Sequence, residues 1–223
     1  MKAYKLFLIL LFPFFAIAQN GRSLEVTSLF GMPVYTSFDK IDNALVSRSY
    51  PALVAKLDKG NGLAGGGEFI FRFNRWGIKL GTLSANLSSS SNQDGHYYSG
   101  ENEYTTFGVT YDVIANEIFT FTPYFGLGHQ ESEIYLDYEF KNSVTPTSLH
   151  IQGKEADFTF GGKFYFRVYH WNDKRFKIYL NADIFYKISY SNKWRFDNML
   201  IKSKDFDLST LGVLGGVTLR YDF

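Results

Sequence analysis

The C-terminal segment constrains the fold of this chain more than any other feature. Counting back in twos from the last residue, one face of the segment is apolar and holds Val217, Leu219, Tyr221 and Phe223. The opposite face holds Arg220, Asp222 and small residues. A strand with two such unlike faces lies between two unlike environments. The pattern therefore predicts a β-strand with an apolar medium on one side and a polar medium on the other.

Alternation of the same kind occurs in seven further segments. With the C-terminal one, the eight predicted strands are Leu24–Gly31, Leu63–Phe73, Trp76–Leu87, Tyr104–Val113, Ile118–Gln130, Ala156–Tyr169, Arg175–Tyr190 and Phe206–Phe223. Their apolar rows are rich in Phe. A tilted strand of about 9–11 residues crosses a bilayer, and most of these segments are at least that long.

The connections between these segments alternate in length. The short ones are Asn74-Arg75, residues 114–117 and residues 170–174, and the long ones are residues 32–62, 88–103, 131–155 and 191–205. Short turns at one end and long loops at the other are typical of small membrane barrels. Only helices and closed barrels satisfy their backbone groups in lipid. The sequence therefore predicts an all-β fold, an eight-stranded antiparallel transmembrane up-and-down β-barrel.

Four residues fit this interpretation poorly. Leu29, Ile70 and Phe185 are apolar residues on the predicted polar face. Pro123 lies inside a predicted strand and has no N–H for the hydrogen-bond ladder of a closed sheet. We expect a bulge or a local break at that proline.

The N-terminus has the features of a secretory signal peptide. Lys2 and Lys5 flank the start of an apolar run, and Ala16-Ile17-Ala18 forms a small-x-small cleavage site. We expect a signal peptide over residues 1–18 and a barrel domain over residues 19–223. Taking the two leader lysines from 23 basic residues leaves 21 against 22 acidic ones, a net charge of −1 that does not favour nucleic acid. The chain has no cysteine, which excludes disulfides, thiol nucleophiles and thiolate metal sites.

The polar face of the predicted strands is strongly charged. Its charged residues are Glu25, Glu68, Arg72, Lys79, Asp112, Asp157, Lys163, Arg167, Lys177, Asp183, Lys187, Arg220 and Asp222. An eight-stranded barrel has an interior about wide enough for side chains to fill. Because an unpaired buried charge is unfavourable, we expect these acids and bases to pair in a network that fills the lumen. A narrow polar channel is the alternative interpretation.

Four features together resemble a known family: the signal peptide, the eight amphipathic strands, Thr-Pro-Tyr-Phe-Gly-Leu-Gly at residues 122–128, and the C-terminal Tyr-Asp-Phe. The chain is similar over its whole mature length to the outer-membrane β-barrel domain family of OmpX-, OmpW- and OmpA-type small barrels. The resemblance implies a place in the bacterial outer membrane and contact with its lipid. It also implies that the barrel-assembly machinery reads an aromatic-ended terminal row, here Val217, Leu219, Tyr221 and Phe223.

The long loops are the expected place for specific contacts. Tyr97 and Tyr98 in the second and Trp194 in the fourth are predicted to contact a sugar or an envelope or extracellular protein, since Tyr and Trp are good anchors at binding surfaces. The alternative is that these aromatic residues reach the interface of the outer leaflet. No residue pattern indicates a catalytic group, a cofactor or a metal site.

We therefore predict a non-enzymatic barrel with a structural or surface-interaction role. A narrow passive channel for small hydrophobic or ionic solutes is the first alternative. A lipid A-modifying enzyme is the second. Some outer-membrane barrels that deacylate lipid A resemble this architecture. Their pattern places a serine two residues from a histidine, whereas His129 has Glu131 at that position.

Overall fold

A computed structural model describes residues 21–35, 63–89, 97–138, 147–171, 175–196, 199–201 and 210–223 of the chain. The predicted signal peptide, residues 1–18, lies outside these ranges, as do large parts of the predicted long loops. Regular structure within the ranges consists of β-strands. No helix in the described part is long and apolar enough to cross a membrane.

Ten strands form a single sheet. In chain order they are β1 (Arg22–Tyr35), β2 (Ala64–Phe73), β3 (Trp76–Ser89), β4 (Tyr97–Tyr111), β5 (Ile114–Ala115), β6 (Phe119–Tyr138), β7 (Thr147–His170), β8 (Phe176–Phe196), β9 (Met199–Ile201) and β10 (Thr210–Asp222). Eight long strands pair antiparallel in the order β1-β2-β3-β4-β6-β7-β8-β10. The two short strands are additions, since β5 pairs with β6 and β9 pairs with β8.

Strand β10 pairs with both β1 and β8, which closes the sheet into a barrel. Followed around the barrel from Ser23 of β1, the ladder returns to β1 at Pro33, ten residues further on. With about 3.3 Å per residue and 4.8 Å between eight strands, this shift corresponds to a strand tilt of roughly 40° from the barrel axis. The predicted eight-stranded antiparallel up-and-down barrel is confirmed.

The two faces of the strands meet different environments. On β10, Val213 and Leu219 point outward and are 54% and 41% exposed, whereas Leu214 and Thr218 point inward and are buried. Outward aromatic rings pack across strands, as Phe125 does with Phe160 at a centroid distance of 5.1 Å. An apolar belt of this kind around a closed barrel is stable against lipid rather than water.

The ladder between β6 and its neighbour is interrupted beside Pro123. Pairs with β4 end at Tyr124, and pairing resumes at Phe121 with β5. Three residues, 111–113, therefore lie opposite two residues of β6, 122 and 123. One extra residue on one strand is what defines a local bulge. On the opposite side Pro123 stays in register with Gly162 of β7. The predicted break is present, but on one side of the strand only.

Four strands continue past the belt at the end that carries the long connections, here called the loop end. This outer wall consists of residues 97–103 of β4, 129–138 of β6, 147–155 of β7 and 191–196 of β8. The predicted loops 88–103, 131–155 and 191–205 are therefore too long. Polar residues occupy both faces of a strand once it leaves the lipid, so the alternation ends while the backbone ladder continues.

Candidate functional site

The lumen holds the charged residues that the sequence pattern places on the inward face. Nine of them are buried, with at most 5% exposure: Glu25, Glu68, Arg72, Lys79, Asp112, Asp157, Lys163, Asp183 and Lys187. The other four are half-buried near the short turns, the turn end of the barrel, with side chains 19–28% exposed: Arg167, Lys177, Arg220 and Asp222. The buried charges are arranged in layers along the barrel axis.

Arg72 is the centre of the layer nearest the turn end. Its Nε donates to Oε1 of Glu25 at 2.6 Å. Its Nη1 donates to Oδ1 of Asp112. Arg220 also approaches Glu25, at 3.5 Å, and donates to Asp222 at 2.8 Å. One guanidinium thus binds two buried carboxylates, for which its planar fork of donors is well suited, and Arg220 brings a second positive charge to Glu25.

A second layer contains two acids and two bases. Lys163 Nζ contacts Oε1 of Glu68 and lies 3.5 Å from Oδ2 of Asp183. Lys79 Nζ lies 3.0 Å from Glu68 and 3.8 Å from Asp183. The hydroxyl of Tyr124 donates to Asp183 at 2.9 Å. Each cation therefore meets both carboxylates, and this neutral arrangement accounts for four charges that stay buried together.

Apolar side chains cross the lumen above the second layer. Leu29, Leu83, Phe185 and Leu214 are buried there, with 3–9% exposure. Leu29 and Phe185 are two of the residues that fit the predicted polar face poorly. The third, Ile70, is fully buried in the lumen. This apolar layer opposes the passage of hydrated ions, because nothing in it replaces their hydration shell.

Inward glycines provide the space for the aromatic rings of the lumen. A Cβ at Gly161 would lie 2.3 Å from the ring of Tyr124, its direct partner across the ladder. A Cβ at Gly212 would lie 2.1 Å from the ring of Phe185, again its direct partner. Only glycine fits these positions, since real Cβ atoms do not approach other atoms so closely. The alternation pattern alone does not predict this packing. A glycine on the polar face, directly opposite an aromatic residue on the neighbouring strand, is the sequence feature that indicates it.

A third polar layer surrounds Lys187 above the apolar residues. Its Nζ donates to Oε1 of Gln130 and lies 3.5 Å from the centroid of the Tyr104 ring. The hydroxyl of Tyr104 in turn donates to Oδ1 of Asp157 at 3.1 Å. In the described part of the chain, no carboxylate oxygen lies within 4.0 Å of Lys187 Nζ. An amide oxygen and an aromatic face therefore solvate this cation directly.

The prediction that Trp194 is a loop contact is wrong. Trp194 belongs to β8, is 1% exposed and packs over Gly153 inside the barrel. Its indole N–H donates to Oε1 of Glu155 at 3.1 Å, and Glu155 is itself a buried acid that the sequence pattern missed. The error has the same cause as the overlong loops, because β8 continues past the belt where alternation no longer marks it.

The two tyrosines predicted in the second long loop lie in β4 instead. Tyr97 and Tyr98 pair with Asp137 and Leu136 of β6. Their side chains are outside the described part of the structure, so the predicted contacts remain a prediction.

A small cavity lies between the second layer and the apolar layer. Its volume is about 30 Å³, and its lining includes Glu68, Lys79, Tyr124 and Phe185. A single water molecule needs at least ~10–15 Å³ on this measure, so the cavity has room for roughly two. It is too small for an organic solute.

Charged residues on the outward face of the outer wall are exposed. Lys154 Nζ donates to Oε1 of Glu131 at 2.7 Å, and His129 Nε2 lies 3.1 Å from the same oxygen. The hydrogen bond from Lys154 and then that from His129 lower the pKa of Glu131 below its usual value. In the described part of the wall no serine or threonine hydroxyl bonds to His129, so the group has an acid–base pair without a nucleophile.

No family model matches the chain, and no curated protein sequence matches it. Among solved structures, it is similar to Ail, the attachment invasion locus protein of Yersinia pestis, with a TM-score of 0.51 and 11% identity, covering 91% of this chain and 100% of that one. It is also similar to a major outer membrane protein from Thermus thermophilus, with a TM-score of 0.54 and 10% identity, covering 90% and 100%. The chain thus has the fold of small barrels of the bacterial outer membrane, and its apolar belt suits that location.

Proposed function

We propose that the protein is a non-conducting and non-enzymatic barrel with a structural role in the outer membrane, whose outer wall presents a surface for contacts outside the cell. The occluded lumen is the observation that carries this proposal. Three layers of polar side chains and one apolar layer fill its described part, and the cavity between the second layer and the apolar layer has room for about two water molecules. A pathway for solutes is therefore not favoured.

The paired charges support a structural rather than a selective role for the lumen. A filter that selects ions presents rings of one sign or a row of carbonyl groups. Here the second layer balances Glu68 and Asp183 against Lys79 and Lys163. Such a network fixes the register of the strands that contribute to it, namely β2, β3, β7 and β8.

Ion efflux from vesicles tests the occlusion. Vesicles loaded with KCl and reconstituted with wild-type protein are expected to lose ions no faster than protein-free vesicles. The double variant Phe185→Ala/Tyr124→Ala is expected to leak, because both rings lie over glycines and their removal opens space across the lumen. The matched control is Phe125→Ala/Phe160→Ala, which removes two outward rings and leaves the lumen unchanged. Efflux by the wild type that is faster than from protein-free vesicles and similar to that of the lumen variant would overturn the proposal.

The terminal row of β10 supports a second part of the proposal, its recognition during assembly. Val217, Leu219, Tyr221 and Phe223 all point outward and are 40–65% exposed. A side-chain row on the outside of the last strand is accessible before the barrel closes. Replacing Phe223 by Ala is expected to reduce the amount of protein inserted in cells, while refolding of the purified variant in detergent is unchanged. Equal losses in both assays would indicate a defect of the barrel itself.

A further inference from the structure

The apolar rows of β7 and β8 end at defined residues on the outer surface. On β7 the last large one is Phe158, and on β8 the last are Ile188 and Tyr190. The rings of Phe158 and Tyr190 pack together at a centroid distance of 4.5 Å, where the β7–β8 register shifts by one residue. Aromatic residues of this kind occupy the border between hydrocarbon and headgroups. The residues beyond them lie at the level of the outer-leaflet headgroups.

Beyond the outward pair Ala156 and Ser191, the next outward residues of these two strands are cationic. Lys193 is the direct partner of Lys154 across the ladder, and Arg195 follows on the same face of β8. Like charges directly opposite each other on one face destabilise a strand pair. Lys154 is neutralised by Glu131 on its other side. Among the described residues, neither Lys193 nor Arg195 has an acidic partner within 4.0 Å, so both positive charges are uncompensated within the described part of the wall.

The wall is divided by charge, which separates this corner from the rest. Its outward acids lie on β4 and β6: Glu101, Glu103, Glu131 and Glu133. The bases lie on β7 and β8. An anion that approaches the outward face of β8 meets Lys193 and Arg195 first. It is separated from the acids by β7, while β9 lies on the other side of β8.

We propose that Lys193 and Arg195, with Lys154 at the margin, bind the phosphate group of a phosphorylated lipid of the outer leaflet. Lys193 is about 10 Å along the barrel axis above Ile188 and Arg195 is about 15 Å above it, given the strand spacing and tilt. The headgroup region extends about 5–8 Å beyond the hydrocarbon core, and long cationic side chains bend back toward it. Phosphate is the anion that a guanidinium and an ammonium group bind well in combination. The acyl chains of the same lipid would lie along the row of Phe158, Ile188 and Tyr190.

Binding of defined lipids to the purified full-length barrel in neutral detergent tests this site. The probes are bis-phosphorylated lipid A, the same lipid without its phosphates, inorganic phosphate, and a sulfated polysaccharide. The wild type is expected to bind the phosphorylated lipid most tightly of the four. Lys193→Gln/Arg195→Gln is expected to weaken that binding roughly thirtyfold, which corresponds to about 1 kcal/mol for each cation near an anionic lipid surface.

Arg75→Gln is the matched control, because Arg75 is an exposed cation in the turn at the opposite end of the barrel. Its lipid binding is expected to equal that of the wild type. Different migration of boiled and unboiled samples on a gel establishes that each variant is folded. Unchanged binding by the double variant, or equal binding of the lipid without phosphates, would overturn the proposal. Tighter binding of inorganic phosphate or of the polysaccharide would overturn it in favour of a free anion or an extracellular polyanion. None of these outcomes bears on the vesicle efflux test.

Discussion

Charged residues of the lumen and of the outer wall are the same residue types in opposite environments. Arg72 is fully buried and is held between Glu25 and Asp112. Lys154 is 63% exposed beside Glu131, which is 48% exposed. Burial removes water as an alternative partner, so each lumen charge depends on its protein partners. The wall charges retain water and depend little on one another.

This difference separates two functions along one barrel. In the lumen the buried charges are held by specific protein partners, which suits a structural core. The wall can lose or exchange a contact without loss of folding, which suits a surface that meets changing partners. The following substitutions test the separation.

Replacing Arg72 by Met leaves the carboxylates of Glu25 and Asp112 buried without their main cation. We expect a loss of about 3–5 kcal/mol in the free energy of unfolding, as is typical when one partner of a buried ion pair is removed. Urea titration of the purified barrel in detergent, followed by the unboiled band on a gel, measures it. Arg75→Met, at an exposed arginine, is the control and should leave the midpoint unchanged. Equal midpoints for both variants would show that lumen pairing is not structural.

Replacing Gly161 by Ala forces a methyl group against the ring of Tyr124. We expect destabilisation of about 1–3 kcal/mol in the same titration, the range found for overpacked cores. Gly65→Ala is the control, because a Cβ at that outward position meets no atom within 4 Å. In a Tyr124→Ala background the Gly161→Ala substitution should have little further effect. A full effect in that background would mean that the ring is not the obstacle.

Replacing Trp194 by Phe removes the indole donor of Glu155. We expect a loss of about 1–3 kcal/mol in the free energy of unfolding, as for a buried charged acceptor that loses one of its hydrogen bonds. Fluorescence tests the burial separately. With Trp76 and Trp171 replaced by Phe, the remaining emission should resist quenching by aqueous iodide. Strong quenching by iodide would show that Trp194 is exposed, as the sequence predicted, and would contradict its burial in the barrel.

Replacing Glu131 by Gln should leave the urea midpoint at neutral pH unchanged, since its contacts to Lys154 and His129 are exposed. The folded-state pKa of Glu131 is lowered, so any stabilisation from these contacts is present above its ordinary value of 4.5 and is lost as the pH falls through the lowered pKa. Any small difference between wild type and variant should therefore disappear at acidic pH. A destabilisation at neutral pH as large as that of Arg72→Met would remove the distinction between wall and lumen.

The sequence predicts the lipid-facing part of the barrel well, because each residue there faces either lipid or lumen and the alternation is strict. Leu219 and Thr218 illustrate this contrast within one strand. The sequence predicts the outer wall poorly, because both faces of its strands are polar. Lys154 on the outside and Glu155 on the inside are an example. The ladder of β6 and β7 holds these residues in strands, and no single-strand pattern reveals such a long-range pairing.

The lumen is predictable in composition but not in arrangement. Alternation places Glu68, Lys79 and Lys163 inside, and the structure brings them into contact. Which acid meets which base depends on the ten-residue shift of the ladder, which the sequence does not specify. Phe185 fits the polar face only because Gly212 lies opposite it on the adjacent strand.

Recording of single channels in a planar bilayer tests the closed lumen most directly. The wild-type barrel, inserted from detergent, is expected to produce no conductance steps over the baseline at high salt, because paired charges and an apolar layer fill its interior. Reproducible steps of constant size from the wild type, absent from Phe185→Trp, would contradict the account and establish a channel through the lumen.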